Sequence, residues 1–531
     1  MNVEQGRPWL NHYPEDMSLF FEIPEVNLYV ILENSTKKYG EQTAIIFEDE
    51  RWTYKKLKDY VDRLAGAWQQ LGAEKGDRIG LMVSNHPSYV ISYYAALKLG
   101  MMVVQINPLY TPRELLEIFH DADIAYLVAE HELPEKIPYS FKQVFLTETT
   151  VKKENFYNIY QLIHNTEPLG VTRQVSAKTD IAVIQYTGGT TGKKKGAMLT
   201  HFNLMANILQ SKAFYGKRMY FGEETILTAT PLYHVYGMTS GMNLGIYIGA
   251  ANVLINKFEL TKVLQFIQKY QPTFFPGVPK MYNAFVNYPD IASYDLTCFK
   301  MCTSGSAPLP DEILKQFEKL TGVLIGEGYG LSETSPTTHR TPPLGVSKIG
   351  SIGIPLPMTD CRIVNDKEED LPERTIGELL IKGPQVMLGY WNKSEETEIA
   401  LRDEWLYTGD LATMDEDGYF YIVGRKKEMI LVGGFNVYPQ EIEGILYEHP
   451  DVREAAVVGI PDREIGEIVK AYVVPKDGRE INLIELKEHC YQNLTRYKVP
   501  KQFEIRDSLP RNTVGKLLKR ILVEEAMKEV Q

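Results

Sequence analysis

The chain has 531 residues, more than one hydrophobic core accommodates, so two or more domains are expected. With 44% hydrophobic and 24% charged residues it has the make-up of an ordinary globular protein, and a net charge of -12 excludes the basic footprint of a general nucleic-acid binder. Four cysteines, at 298, 302, 361 and 490, exclude a disulfide framework; Cys298 and Cys302 have helix-like spacing but lack a histidine or second cysteine pair nearby, which argues against a metal site, and a reducing cytosol fits best.

Acidic residues and prolines interrupt 1–24 before any long apolar run develops, so no secretory signal is expected. An apolar run at 44–47 reads as a strand. Residues 54–71 carry Leu57, Val61, Leu64 and Trp68 at the spacing of one helix face. Strands are expected at 79–83, 103–106 and 124–128, with a helix at 87–99. Thr111-Pro112-Arg113-Glu114 forms a complete helix start: threonine caps, proline suits the first turn, and glutamate closes a capping box. This alternation predicts an α/β fold of parallel sheets covered by helices.

Farther on, 226–256 contains no Asp, Glu, Lys or Arg, which meets the charge criterion for a membrane span. Pro231, His234 and glycines at 237, 241, 245 and 249 argue instead for buried core beside a ligand cavity. A strand-like 419–423 then runs into the charged Arg425-Lys426-Lys427-Glu428. Beyond it the pattern is a compact α+β unit, with helices at 439–447 and 483–494 and strands at 455–458 and 468–474. The expected organisation is a large N-terminal domain over 1–424 and a small C-terminal α+β domain over 425–531, with the boundary at 424–427, where the charge cluster reads equally as a joint or as an ordinary exposed loop.

Chemistry concentrates first in Tyr186-Thr187-Gly188-Gly189-Thr190-Thr191-Gly192-Lys193-Lys194-Lys195-Gly196, directly after the apolar run at 181–184. Glycines let the backbone approach an anion, threonine hydroxyls and main-chain N–H groups donate to phosphoryl oxygens, and lysines supply charge. The segment is not a Walker A loop, because no glycine stands five residues before a Gly-Lys-Ser/Thr ending. Alone it reads better as an ordinary surface turn than as a nucleotide site. Its companions are Pro231-Leu232-Tyr233-His234-Val235-Tyr236-Gly237, Ser304-Gly305-Ser306-Ala307-Pro308-Leu309, Gly328-Tyr329-Gly330-Leu331-Ser332-Glu333-Thr334, Tyr407-Thr408-Gly409-Asp410, Gly424-Arg425, and Pro510 to Lys516.

In this order and spacing the set resembles the adenylate-forming superfamily of acyl-CoA synthetases, firefly luciferase and peptide-synthetase adenylation domains, across roughly 25–520. Within it the chain looks most like bacterial long-chain fatty acid-CoA ligases. The resemblance implies that a fatty acid is joined to AMP with release of pyrophosphate and then passed to CoA, giving acyl-CoA and AMP. ATP, Mg2+ and CoA are the implied cofactors and substrates. Thr187, Gly188, Gly189, Thr190, Thr191, Gly192 and Lys195 would embrace the β- and γ-phosphates. Glu333 would hold Mg2+ and Ser332 or Thr334 would touch phosphate. Gly305, Ser306 and Ala307 would line the adenine, with Tyr329, between Gly328 and Gly330, stacked on it. Asp410 would accept from the ribose hydroxyls, supported by Arg425.

By the same resemblance, His234 sits beside the acyl carboxylate; the uncharged stretch after it, beginning Tyr236, Gly237 and Met238, together with Phe274, Phe275, Val278 and Met281, supplies apolar material for an acyl pocket. Lys516 would bridge that carboxylate and the α-phosphate; at about 4 Å and an effective dielectric near 20, such a contact is worth on the order of 4 kcal/mol before desolvation. The small C-terminal domain would be mobile, with Lys427 as its hinge, and Gly433 and Gly434 would let a pantetheine arm pass. The chain departs from the family at Lys194, where a proline is usual, which predicts a less ordered loop without ATP. Singly, each residue has a plainer reading: His234 as a satisfied core histidine, Glu333 as a helix cap, Asp410 as a turn residue, Lys516 as a solvated terminal lysine. Medium-chain or aromatic acids, a carrier protein in place of CoA, and a non-catalytic nucleotide binder are the alternatives. The expected partners are small molecules, without nucleic acid, in the cytoplasm; peripheral membrane contact and a homodimer stay open.

Overall fold

The computed structural model describes residues 7–14, 17–131, 138–147, 153–188, 194–343, 345–462, 464–511 and 516–530. By packing, the chain divides into two compact units, residues 1–360 with 381–406, and residues 361–380 with 407–531.

Two large sheets build the first unit. One runs in the order Ile354–Pro355, Thr337–Arg340, Ile325–Gly330, Met301–Ser304, Phe274–Gly277, Thr225–Thr228, Ala251–Leu254, Thr43–Phe47, Glu50–Thr53. The other runs Gly389–Tyr390, Lys194–Thr200, Ile181–Gly188, Met102–Gln105, Arg78–Met82, Tyr126–Ala129, Gln143–Leu146, Phe156–Asn158. Their interiors are parallel and their antiparallel pairs lie toward the edges, as the strand–helix alternation predicts. The expected helices form at Tyr54–Gln70, capped by the Thr53 side chain, and at Pro112–Asp121, where Thr111 and Glu114 make the capping box.

Helix Pro87–Leu99 is buried at every position. It is apolar nearly all round, which suits a helix without a solvent face. Its one cation, Lys98, cannot be buried alone. The Lys98 ammonium lies 2.6 Å from Asp62 Oδ1, and the Tyr29 hydroxyl donates to the same oxygen at 2.6 Å.

The uncharged stretch 226–256 folds as buried core: strand Thr225–Thr228, a π-helical segment Gly237–Asn243, helix Leu244–Ile248 and strand Ala251–Leu254. Among the described residues no helix is long and apolar enough to cross a membrane.

Strands Asp360–Val364, Gly377–Lys382, Trp405–Met414 and Phe420–Arg425 belong to one sheet, most of whose residues fall in the second unit. A second sheet runs Phe435–Val437, Ile430–Val432, Gly466–Pro475, Val452–Asp462, with Gln502–Ile505 added on Gly466–Pro475. Helices Pro439–Glu448 and Leu483–Asn493 fall where the sequence pattern expects them. This unit begins earlier in the chain than residue 424. Its first sheet recruits 361–364 and 377–380 through strand pairing, so compactness and a joint in the chain need not coincide.

Candidate active site

Thr187 stands opposite Lys195, and Gly188 opposite Lys194, where strands Ile181–Gly188 and Lys194–Thr200 pair antiparallel. Gly189, Thr190, Thr191 and Gly192 lie outside the described residues. Lys194 itself is anchored: its ammonium sits 3.2 Å above the centre of the Tyr110 ring and 3.2 Å from Glu114 Oε1. Burial pulls its pKa below the ordinary lysine value, and Glu114 opposes that shift.

Lys195 lies over the Tyr390 ring at 5.0 Å, and the Tyr390 hydroxyl donates to Glu333 Oε1 at 2.8 Å. The phosphate segment and the predicted metal-binding carboxylate are thereby joined through one aromatic residue. Strand Gly389–Tyr390 pairs with Lys194–Thr200, which fixes Tyr390 there. Glu333 sits in the short 3-10 turn Ser332–Thr334, and its carbonyl accepts from the Met387 N–H at 2.8 Å. Thr334 is fully buried and turns its hydroxyl inward, accepting from the Leu331 N–H at 2.9 Å, while Ser332 is half-buried.

Next to this turn, Tyr329 pairs with His339 and Gly328 with Arg340 across strands Ile325–Gly330 and Thr337–Arg340. Gly330 has no alternative: a Cβ there would lie 2.0 Å from the Pro336 carbonyl oxygen. At Gly305 the opposite holds, since nothing approaches a Cβ closer than Tyr236 at 3.6 Å. Room above a backbone glycine is what a flat ligand needs. Ser306 takes a left-handed φ of 72° and is exposed, and Ala307 is half-buried. The Glu327 carboxylate accepts from the Leu309 N–H at 3.3 Å and ties this loop to the strand. Burial pushes Glu327 up to about 7 against that hydrogen bond. Burial likewise holds His339 down at about 3, so it stays neutral.

His234 follows a turn closed by its own N–H on the Pro231 carbonyl at 3.1 Å. Its Nδ1 accepts from the Tyr236 N–H at 3.3 Å, which in the neutral ring leaves the proton on Nε2. Gly237 is required, because a Cβ would stand 2.3 Å from the Pro231 carbonyl oxygen. Tyr236, Met238 and Val278 are buried, and the Tyr236 hydroxyl meets Thr303 Oγ1 at 3.0 Å. The histidine motif and the Ser304 to Leu309 loop therefore meet through Tyr236.

In the second unit, Asp410 and Arg425 are cross-strand partners, with Arg425 Nε 2.7 Å from Asp410 Oδ1 and Asp410 buried. Lys427 is exposed in the 3-10 turn Lys426–Glu428, beside Lys426, which pairs with Asp366 at 2.9 Å and Glu378 at 3.0 Å. Gly433 and Gly434, at φ 58° and 85°, make the two-residue turn between Ile430–Val432 and Phe435–Val437. Two consecutive left-handed residues are the turn that a tight hairpin prefers. Neither would bring a Cβ within 4 Å of another atom, and Phe435 beside them is exposed. Lys516 is exposed next to Leu517, which bridges Arg511.

Two residues of the first unit escaped sequence reasoning. Tyr390 stands 57 positions from the carboxylate it holds, and Glu327 carries no motif beyond adjoining Gly328. Only strand pairing reveals either.

Among the described residues, no group of three or more His, Cys, Asp or Glu could cage a metal ion. Glu333 offers a single carboxylate. That fits Mg2+, which dehydrates reluctantly and takes one or two carboxylates alongside water and substrate phosphate oxygens.

The family model described as AMP-binding enzyme matches residues 32–391, and that described as AMP-binding enzyme C-terminal domain matches 441–516. The chain is 42% identical to a long-chain-fatty-acid--CoA ligase of Bacillus subtilis, over 98% of this chain and 99% of that protein. Among solved structures, ATP-bound MatB from Rhodopseudomonas palustris is similar at a TM-score of 0.86 and 29% identity, covering 95% of this chain and 99% of that one. The O-succinylbenzoate coenzyme A synthetase of Bacillus subtilis, in complex with ATP and magnesium ion, is similar at a TM-score of 0.81 and 27% identity, covering 94% and 99%. With motifs, fold and both family models in agreement, the chain belongs to the AMP-binding enzyme family.

Proposed function

We propose that the protein is an acid–thiol ligase that activates a fatty acid with ATP, releases pyrophosphate, and transfers the acyl group from acyl-AMP to CoA. The observation that carries this reading is the line from Lys195 through Tyr390 to Glu333, which gathers a phosphate-binding cation and a magnesium-binding carboxylate beside Thr187. A long-chain acid is the favoured substrate, in keeping with the relative's name and with the uncharged acyl region of Tyr236, Gly237, Met238 and Val278.

Each residue then has one task. Thr187, Gly188 and Lys195, with Gly189, Thr190, Thr191 and Gly192, hold the phosphates, and Ser332 and Thr334 flank the carboxylate that binds magnesium. Glu333 would hold Mg2+, which would supply charge neutralisation to the phosphates. Gly305, Ser306, Ala307, Gly328, Tyr329 and Gly330 form the adenine site, and Asp410, held by Arg425, takes the ribose hydroxyls. His234, with its proton on Nε2, donates toward the substrate carboxylate. Lys516 brings positive charge to the carboxylate and α-phosphate during adenylation. Rotation about Lys427 then withdraws it and offers Gly433 and Gly434 to the thiol. The reading puts the reaction in the cytoplasm, in keeping with four free cysteines. Adsorption to a bilayer and pairing into a homodimer belong to the same reading.

Pyrophosphate release with Mg2+ and a panel of C2 to C18 and aromatic acids, with and without CoA, tests it. The expected result is acid-dependent pyrophosphate release, with acyl-CoA and AMP formed when CoA is present. An ATP supply left intact by every acid would refute it.

A further inference from the structure

A buried cation near Tyr215 and Tyr236 has no use in the scheme above. Arg340 closes strand Thr337–Arg340, opposite Gly328, and is 2% exposed. A Cβ on Gly328 would lie 3.8 Å from Arg340 Nε. The guanidinium carbon sits 4.7 Å over the Tyr215 ring, and Nη2 donates to Thr337 Oγ1 at 3.4 Å. Nε and Nη1 are buried with no hydrogen-bond partner among the described residues. Ser304 Oγ is buried and unmatched in the same way, and the buried Tyr215 hydroxyl faces Thr303. Arg340 is close enough to Tyr215 and Tyr236 to oppose the rise that burial imposes on both phenols. Tyr236 is the residue nearest a Cβ built on Gly305, at 3.6 Å, and is one of the acyl-pocket residues proposed above.

A guanidinium keeps its charge at any accessible pH, so it cannot escape burial by losing a proton. Unmatched donors in a buried site must find oxygen. A plain hydrocarbon tail offers none, and the reacting carboxylate of a simple fatty acid is committed to phosphate. We propose that Arg340, with Tyr215 and Ser304, forms a binding site for a second carboxylate on the acyl substrate, so that the preferred acid is an α,ω-dicarboxylic acid. This rests on the acid-activating reading above and deepens it. Arg340 is then a specificity determinant, and it selects by leaving its own donors unpaired when the wrong acid binds.

The test compares C8 to C16 monocarboxylic acids with dicarboxylic acids of equal length, by pyrophosphate release in the presence of CoA, for the wild-type protein, Arg340→Lys and Arg340→Met. The wild type is expected to favour the diacid at least tenfold in kcat/KM. Arg340→Met is expected to reverse that ranking, lowering diacid turnover by about a hundredfold while raising monoacid turnover, and Arg340→Lys is expected to retain part of the diacid preference. A wild type that prefers monoacids overturns the proposal, even if no variant folds. So does an Arg340→Met enzyme with unchanged ranking, which marks the arginine as a wall of the site only. Failure of the wild type on every acid overturns the ligase reading, and this proposal with it.

Discussion

Lys516 and Arg340 are both cations assigned to the same reaction, and they stand in opposite surroundings. Lys516 is exposed, near a strand bridge in the second unit; Arg340 is sealed in the first unit against Tyr215 with two nitrogens unmatched. An exposed ammonium costs nothing to keep and can be delivered when charge develops. A sealed guanidinium is costly in the empty protein and recovers that cost only when its ligand arrives. Transient need and constant need are thus met by different placements of the same charge.

The contrast breaks most readily at Lys516. Lys516→Ala is expected to slow acyl-adenylate formation by about a thousandfold, the scale of a lost oxyanion-hole donor. It should spare thioester formation from supplied acyl-AMP, and comparable loss in both half-reactions would remove Lys516 from its role.

Glu327 sharpens the comparison, because an acid, unlike Arg340, can shed its charge. Burial raises its folded pKa from 4.5 to about 7, so the folded state holds the proton that the unfolded chain releases. Its contribution is full below the unfolded value and is lost as pH rises through 7, amounting to about 3 kcal/mol. Glu327→Gln should flatten thermal stability between pH 5 and 8, with melting higher than wild type by a few degrees at pH 8. Parallel melting curves for the two proteins across that range would place the raised pKa elsewhere.

Lys427→Pro removes a backbone donor and fixes φ at the proposed joint. Thioester formation should fall about tenfold with adenylation nearly unchanged. Equal rates in stopped-flow traces of the second step would argue for a joint at another residue.

The smallest effect is on stability. Without ligand, Arg340→Met should leave the melting temperature unchanged or raise it by the equivalent of about 1 kcal/mol, since an unmatched buried charge is exchanged for apolar volume. A clear drop would show that the stack on Tyr215 outweighs the unmatched donors.

Much of this was legible in sequence wherever information is local. Thr111, Pro112 and Glu114 specify their helix start, and the structure places the capping box there. The apolar spacing of Leu57, Val61, Leu64 and Trp68 specifies a buried helix face, and all four are buried. Long-range pairing was not legible. Nothing near Tyr390 announces Glu333, nothing near Arg340 announces Tyr215, and nothing in 361–364 announces a sheet shared with 420–425. In each case the pairing or packing of segments far apart in sequence decides which side chains meet, and a single sequence does not encode that arrangement in any local pattern.

Helix Pro87–Leu99 has one further consequence. Its tyrosines reach Gln105 from the second sheet's strand and Asn243 from the segment that covers the first, at 2.6 and 2.8 Å. Because it has no face for water, it finds its place only once both of its hosts exist. Assembly of the larger unit should therefore be a single cooperative event, so that fragments cut between its two halves yield collapsed, protease-sensitive chains instead of separable domains.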